Sequence, residues 1–409
     1  MCRLMIHGRN SAGRKAHLLA LGLLAACQAK SKSGDDRDGG APGAFGPGTG
    51  IHLPSCVAGE PVFTQLPHAL GDLRSMNPLG HLAPSPHTFP TDHMYFSFVA
   101  GAVVTLVSPG DLTVTRVAVT DYLGATPPLS DYAVTFRPCR EVEIYFGHVK
   151  TLDPGFLAKL GSFDPIFCLS YTSGGQPMRY CDQSTNFTVS AGEAIGTAGP
   201  DFGAKDARVP PLDYADNRDN PASPDGIDSL HSVCPVDYFR ADLRTQLQEL
   251  IGDVYGVARA TQPWCGAIMQ DVRGTAQGRW FALGAARPGP DDPNLALVHD
   301  NDWNTTREVF SVGTSASARG LSTGVYFFHP TSAGNVNRDF KDVTADGSVY
   351  CYEQFSGVVQ GGSEDAISPQ TLLLQLTSST TLRIERRQET ACASIGAWTL
   401  DDRATDFER

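Results

Sequence analysis

From residue 93 onward the chain is a succession of short apolar or alternating runs, each closed by Gly, Pro or Asp. His93–Ala100, Ala102–Val107, Leu112–Thr120, Tyr132–Phe136, Glu141–His148 and Pro165–Ser170 follow one another in this way. Alternation with a period of two places every second side chain on one face, and turn residues at each end bound the run, so these segments predict strands. No long helical periodicity separates them, which points to an antiparallel sandwich or barrel.

The period changes at Tyr238. Phe239, Leu243, Leu247, Leu250, Ile251 and Val254 recur at spacings of three and four, with Asp237 placed as an N-cap, which predicts one amphipathic helix of about four turns. Strand-like runs then return at Ala267–Gln270, Trp280–Leu283, Leu295–His299, Gly324–His329, Ser348–Tyr352, Thr371–Leu376 and Thr381–Arg386. The expected architecture is mainly β: an antiparallel β-sheet domain over 51–230, then one helix and a second β-rich domain over 231–409.

The N-terminal 50 residues have a different character. Arg14 and Lys15 precede the apolar run Leu18–Ala26, which is too short to span a bilayer but suits the core of a signal peptide. Its end, Leu24-Ala25-Ala26-Cys27, resembles the bacterial lipobox. That resemblance implies a cleaved leader over 1–26 and a lipidated Cys27 as the first residue of the mature chain. Residues 27–50 offer almost nothing to bury and read as a flexible tether. Gln28 rather than Asp after the cysteine favours the outer membrane, so the expected location is the cell envelope, outside the cytoplasm, with the membrane engaged through the lipid anchor.

Charge and cysteines agree with export. Loss of the leader removes Arg3, Arg9, Arg14 and Lys15 and no acid, so the net charge falls from −12 to −16; nucleic acid is an unfavourable partner for such a surface. Beyond Cys2 and Cys27 the cysteines are Cys56, Cys139, Cys168, Cys181, Cys234, Cys265, Cys351 and Cys392, with no CxxC pair among them. An even number without zinc-thiolate spacing predicts disulfides. Connectivity stays open, although Cys168 with Cys181 would close a short Gly-containing loop and Cys351 with Cys392 would tie the last strands.

Candidate chemistry lies in the first domain. Gly80 to Phe96 packs His81, His87, His93 and Asp92 into a loop stiffened by Pro84, Pro86 and Pro90; imidazole and carboxylate are zinc ligands, and fixed φ angles limit the loop's freedom. In Glu141–His148, alternation puts Val142, Ile144, Phe146 and His148 on one face, so His148 ends an apolar stripe. There it either caps the core or, at the mouth of a groove, polarises a carbonyl.

Four segments in order, covering about 80–216, resemble the lysostaphin-like zinc metallopeptidases, which cut peptide cross-links of peptidoglycan with a small β-sheet domain. They are the His87–His93 entry loop, the hairpin Gly101–Val114, the strand Tyr145-Phe146-Gly147-His148-Val149 and the turn Ala191–Gly199. The family's closing His-x-His is missing: after Gly199 comes Val209-Pro210-Pro211-Leu212-Asp213-Tyr214-Ala215-Asp216. The resemblance implies a zinc site of His87, His93 and Asp213, with Asp213 in place of the lost histidine and His148 assisting the transition state. Two functional classes follow. One is a lipid-anchored zinc metalloendopeptidase acting on peptidoglycan or envelope peptide. The other is a non-catalytic envelope protein that binds peptide, glycan or protein in the same groove. In the second domain Asp300, Asp302 and Trp303 mark an acidic loop, and no catalytic constellation is evident.

Overall fold

A computed structural model describes residues 53–57, 59, 62–218, 226–286, 289–359, 363, 364 and 367–409. The expected leader, Cys27 and the tether lie outside the described residues. The chain is mainly β and holds two antiparallel sheets.

The first sheet is built from β1 (Leu73–Asn77), β2 (Met94–Phe98), β3 (Thr105–Val107), β4 (Leu112–Tyr122), β5 (Leu129–Cys139), β6 (Val142–Leu152), a short helix α1 (Pro154–Leu160) that leaves the sheet, β7 (Phe167–Ser173), β8 (Gln176–Val189), β9 (Ala194–Asp206) and β10 (Ser232–Val233). Its order is β1-β2-β9-β6-β5-β4-β8-β7, with β3 and β10 also paired to β9. Helix α2 spans Ala241–Gln248. The second sheet takes β11 (Gly278–Ala282), β12 (Leu295–His299), β13 (Glu308–Val312), β14 (Gly324–Phe328) and β15 (Tyr350–Tyr352). After the small hairpin β16 (Val358–Val359) and β17 (Ser363–Glu364), it adds β18 (Thr371–Ser378), β19 (Thr381–Arg387) and β20 (Thr405–Glu408). Its order is β14-β13-β12-β11-β20-β19-β18-β15.

Alternation decides which face of the first sheet is core. Met94, Phe96, Ile144, Phe146, Phe202 and Ala204 are buried together, with Phe202 stacked on Phe146 at 4.8 Å and on Phe96 at 5.8 Å. Their neighbours in sequence, Tyr95, Tyr145, Gly147, Asp201 and Gly203, therefore line the opposite face. The second core centres on Phe310, which meets Phe340 and Tyr352, each at 4.9 Å.

The helix is shorter than its periodicity predicts. Pro235–Tyr238, including Asp237, forms a separate tight turn, and the residue before α2 is Arg240. Leu250, Ile251 and Gly252 lie beyond α2 because β1 captures their backbone: the Met76 N–H donates to Leu250 O and the Gly252 N–H to Met76 O. A hydrogen bond to a neighbouring strand replaces the next helical one. Leu247 and Ile251 join the first core, and so do Cys265 and Ile268.

All eight described cysteines pair: Cys56–Cys139, Cys168–Cys181, Cys234–Cys265 and Cys351–Cys392. Cys168–Cys181 clips β7 to β8, and Cys351–Cys392 ties β15 to the turn after β19.

The loop from Gly80 to Thr91 is clamped against the second sheet. Phe89 is buried among Phe281, Ala296 and Val298, the Ser311 hydroxyl donates to Thr88 O at 2.7 Å, and Ser85 donates to Asp292. Gly80 allows the approach. Its φ is +80°, and a Cβ there would stand 2.3 Å from Ala267 O and closer still to the Asn301 amide.

Candidate functional site

The polar face of the first sheet, opposite the Phe146–Phe202 core, gathers the titratable groups. Three strands supply the central groups, and β5 adds Asp131. β2 and the loop before it bring Asp92, His93 and Tyr95; β6 brings Tyr145 and His148; β9 brings Asp201. Cross-strand register sets the pairs, Tyr95 opposite Asp201 and Gly147 opposite Asp201.

His148 reaches this face through a bulge. The β6–β9 register shifts between Gly147 and Val149, and His148 has a φ of +53°. One extra residue reverses the alternation: Val149 returns to the core, and His148 leaves the apolar stripe on which strict periodicity put it. Its side chain is 48 % exposed. A non-glycine residue at positive φ is uncommon and stores strain where the surroundings fix it.

Two imidazoles are held in the same manner. His93 Nδ1 lies 2.9 Å from Asp92 Oδ1, and its Nε2 faces Asp201 Oδ2 at 3.7 Å. His148 Nδ1 lies 2.6 Å from Asp131 Oδ2 and its Nε2 faces the same Asp201 oxygen at 3.6 Å. Each backing carboxylate is itself fixed. Asp92 accepts from the Tyr145 hydroxyl at 3.0 Å, and Asp131 from the Tyr122 hydroxyl at 2.8 Å. Asp201 owes its place to Gly147, where a Cβ would stand 2.6 Å from Asp201 Oδ2. His93 Nε2 and Asp201 Oδ1 are buried without a hydrogen-bond partner.

His87 completes the group from the clamped loop. Its ring centroid is 5.7 Å from that of His93 and 6.1 Å from that of Tyr95. Burial, then repulsion from His93, His81 and His148, pushes the His87 pKa down to about 4, so the ring is neutral. The Asp131 hydrogen bond outweighs burial at His148, and with Asp201 raises its pKa to about 9. Burial opposes charge on His93, but the hydrogen bond to Asp92 and the attraction of Asp201 and Asp92 prevail and raise it. Burial likewise raises Asp201, against the pull of His93 and His148.

Of the sequence-predicted residues, His87, His93 and His148 are brought together, and Asp213 is not among them. β9 ends at Asp206 and Pro210-Pro211 cannot extend it, so Asp213 sits on a loop. Its side chain is 77 % exposed and paired with Arg273 at 2.5 Å. The carboxylate that faces His93 and His148 is instead Asp201, on β9. Asp92, singled out in the sequence with the loop histidines, backs His93; sequence reasoning assigned no role to Asp131 and Tyr145, which bond His148 and Asp92.

Imidazole and carboxylate, the donor types gathered here, are among those that bind zinc. Metal-binding histidines characteristically give their second nitrogen to a carboxylate, as both His93 and His148 do. Ligand atoms on a tetrahedral zinc are about 3.3 Å apart, close to the 3.6 and 3.7 Å separations at Asp201. The cluster is spread: no three of its residues have ligand atoms all within 4.8 Å of one another. Among the described residues, the trios whose ligand atoms all lie within 4.8 Å of one another are Cys56/Cys139/Glu141 and His299/Glu308/Asp339. The first contains a disulfide, and the second is occupied with capping: both Glu308 oxygens accept from the Phe340 N–H and Asp339 accepts from the Lys341 N–H.

No family model matches the chain, and no curated protein or solved structure was found to match it.

Proposed function

We propose that the protein is a lipid-anchored envelope protein whose first sheet carries a zinc-dependent hydrolytic site for wall or envelope peptides. The observation that carries this reading is the pair of carboxylate-backed imidazoles directed at one buried carboxylate. His93 and Asp201, with neutral His87 beside them, would hold the metal. Zinc bound there would supply Lewis acidity and lower the pKa of a bound water. His148, half exposed and protonated by virtue of Asp131, would donate a hydrogen bond to the oxygen that gains charge as a peptide carbonyl is attacked. Tyr145 and Asp92 would keep the His93 ring oriented. The paired cysteines and the lipobox-like Leu24–Cys27 support an exported, anchored chain.

A second reading, a binding protein without catalysis, is favoured by Gly203. The β9 position two residues after Asp201 has no side chain, and a Cβ there would meet the Tyr145 ring at 2.3 Å. The strand thus offers no second group beside Asp201 to act as a base.

Metal analysis of the purified mature chain, coupled to release of peptides from purified wall, tests both. One zinc per chain is expected, lost in His93→Ala/Asp201→Ala and retained in Asp213→Ala, with peptide release following the zinc. Zinc retained without the His93 and Asp201 side chains overturns the site; zinc present with uncut wall peptides leaves the binding reading.

A further inference from the structure

Beyond the histidine cluster, a cavity of about 450 Å³ opens beside β14 of the second sheet, with His81 and the loop Asp253–Tyr255 also on its wall. Aromatic faces form much of its wall, Trp303, Tyr326 and Phe327 among them. Three polar side chains on the same wall have atoms buried without a partner: Asp253 Oδ2, Asp302 Oδ1, and Arg307 Nε and Nη1. Asp253 is 4 % exposed and Arg307 wholly buried. Their other atoms are committed. Asp253 Oδ1 accepts from the Tyr255 and Val257 N–H groups, Asp302 Oδ2 pairs with His81 at 2.5 Å, and Arg307 Nη2 donates to Asp300 at 2.6 Å. Glu364 lies 3.5 Å from Arg307 Nη1, an ion pair without a hydrogen bond. The guanidinium also lies 4.8 Å from the Trp303 ring and 4.2 Å from the Phe327 ring.

Buried polar atoms without partners are costly, and the side chains that carry four of them line this one cavity. Asp253 and Asp302 require donors and repel an anion. Arg307 requires an acceptor, which a simple cation lacks. Hydroxyl groups supply both, and the apolar face of a sugar ring covers an aromatic side chain. We propose that this cavity is a binding site for a neutral saccharide, stacked on Trp303 and hydrogen-bonded by Asp253, Asp302 and Arg307. The site adjoins the histidine cluster: the His81 ring is 5.3 Å from that of Tyr95, which is 4.7 Å from that of His93. It does not depend on metal binding there.

The test is titration of the purified mature chain with the β-1,4-linked trimers of glucose and of N-acetylglucosamine, followed by tryptophan fluorescence and by saturation-transfer NMR. At least one trimer is expected to bind saturably, with a Kd near or below about 1 mM, and Trp303→Ala is expected to weaken it about tenfold or more. Should that variant fail to fold, Tyr326→Ala takes its place. Absence of saturable binding up to about 10 mM, or binding untouched by both substitutions, overturns the proposal. Asp201→Ala is expected to leave the titration unchanged, which separates a failure here from a failure of the zinc site; weakened binding in that variant would move the saccharide away from this cavity and overturn its placement.

Discussion

Gly147 holds more of the site than its size suggests. Only a hydrogen at that position leaves room for the Asp201 carboxylate, so Gly147→Ala should push Asp201 off the line between His93 and His148 while the sheet stays paired. Zinc affinity is expected to fall about 10- to 100-fold, as for other lost supporting contacts, with an unchanged circular dichroism spectrum; full affinity would show that Asp201 is not a ligand. Glu308 carries a different consequence. Burial, reinforced by Asp339, pushes its pKa up to about 10, so the folded chain keeps the proton that the unfolded chain releases near 4.5. Its stabilising contribution is complete below pH 4.5 and is lost progressively as pH rises toward 10. Glu308→Gln should therefore flatten the stability profile, and urea melts at pH 5, 7 and 9 should show the variant gaining on the parent as pH increases. A parallel profile would contradict a protonated Glu308. The two residues also mark what the sequence could tell. His87, His93 and His148 were legible from residue type and density, whereas Asp201 lies in Gly196-Thr197-Ala198-Gly199-Pro200-Asp201, a stretch that reads as a turn. It is strand because β6 pairs along it and β2 and β3 add further pairs, and those distant strands leave no mark in its composition.

At the scale of elements, the bulge at His148 shows how one inserted residue redirects chemistry. Strict alternation predicts His148 on the apolar stripe with Phe146; the shift in register moves it to the polar face with Asp201. Strands with a strong apolar stripe, such as β4, β12 and β18, were readable from their patterns. β8 was not, since its residues alternate between partial and full exposure over much of their length and leave little hydrophobic contrast to read. Disulfides stabilise more the longer the loop they close, though only with the logarithm of its length. Cys56–Cys139 spans 83 residues and Cys168–Cys181 only 13, so on the chain-entropy account their removal as alanine pairs should cost about 4.5 and about 3 kcal/mol respectively. Denaturant melts that reverse this order would show that native contacts, and not the length of the loop, dominate.

On the scale of the whole molecule, the second sheet supports the first. The loop carrying His87 is fixed by Phe281, Ala296, Val298 and Ser311, so the site is a product of both sheets although its ligand-type residues come from the first. The two-sheet β architecture was legible because apolar runs recur along nearly the full length; the clamp was not, because Phe89 and Ser311 lie more than two hundred residues apart. The envelope reading makes its own prediction: Cys27→Ser should move the folded protein from detergent-extracted membranes to the soluble fraction, and unchanged partition would remove the anchor. The central claim is that His93 and Asp201 hold a metal. Anomalous diffraction at the zinc edge from crystals of the zinc-loaded mature chain tests it most directly. The account predicts a peak about 2.0–2.2 Å from His93 Nε2 and an Asp201 carboxylate oxygen; a zinc peak elsewhere, at Asp213 or at His299, Glu308 and Asp339, with none on the polar face of the first sheet, would contradict it.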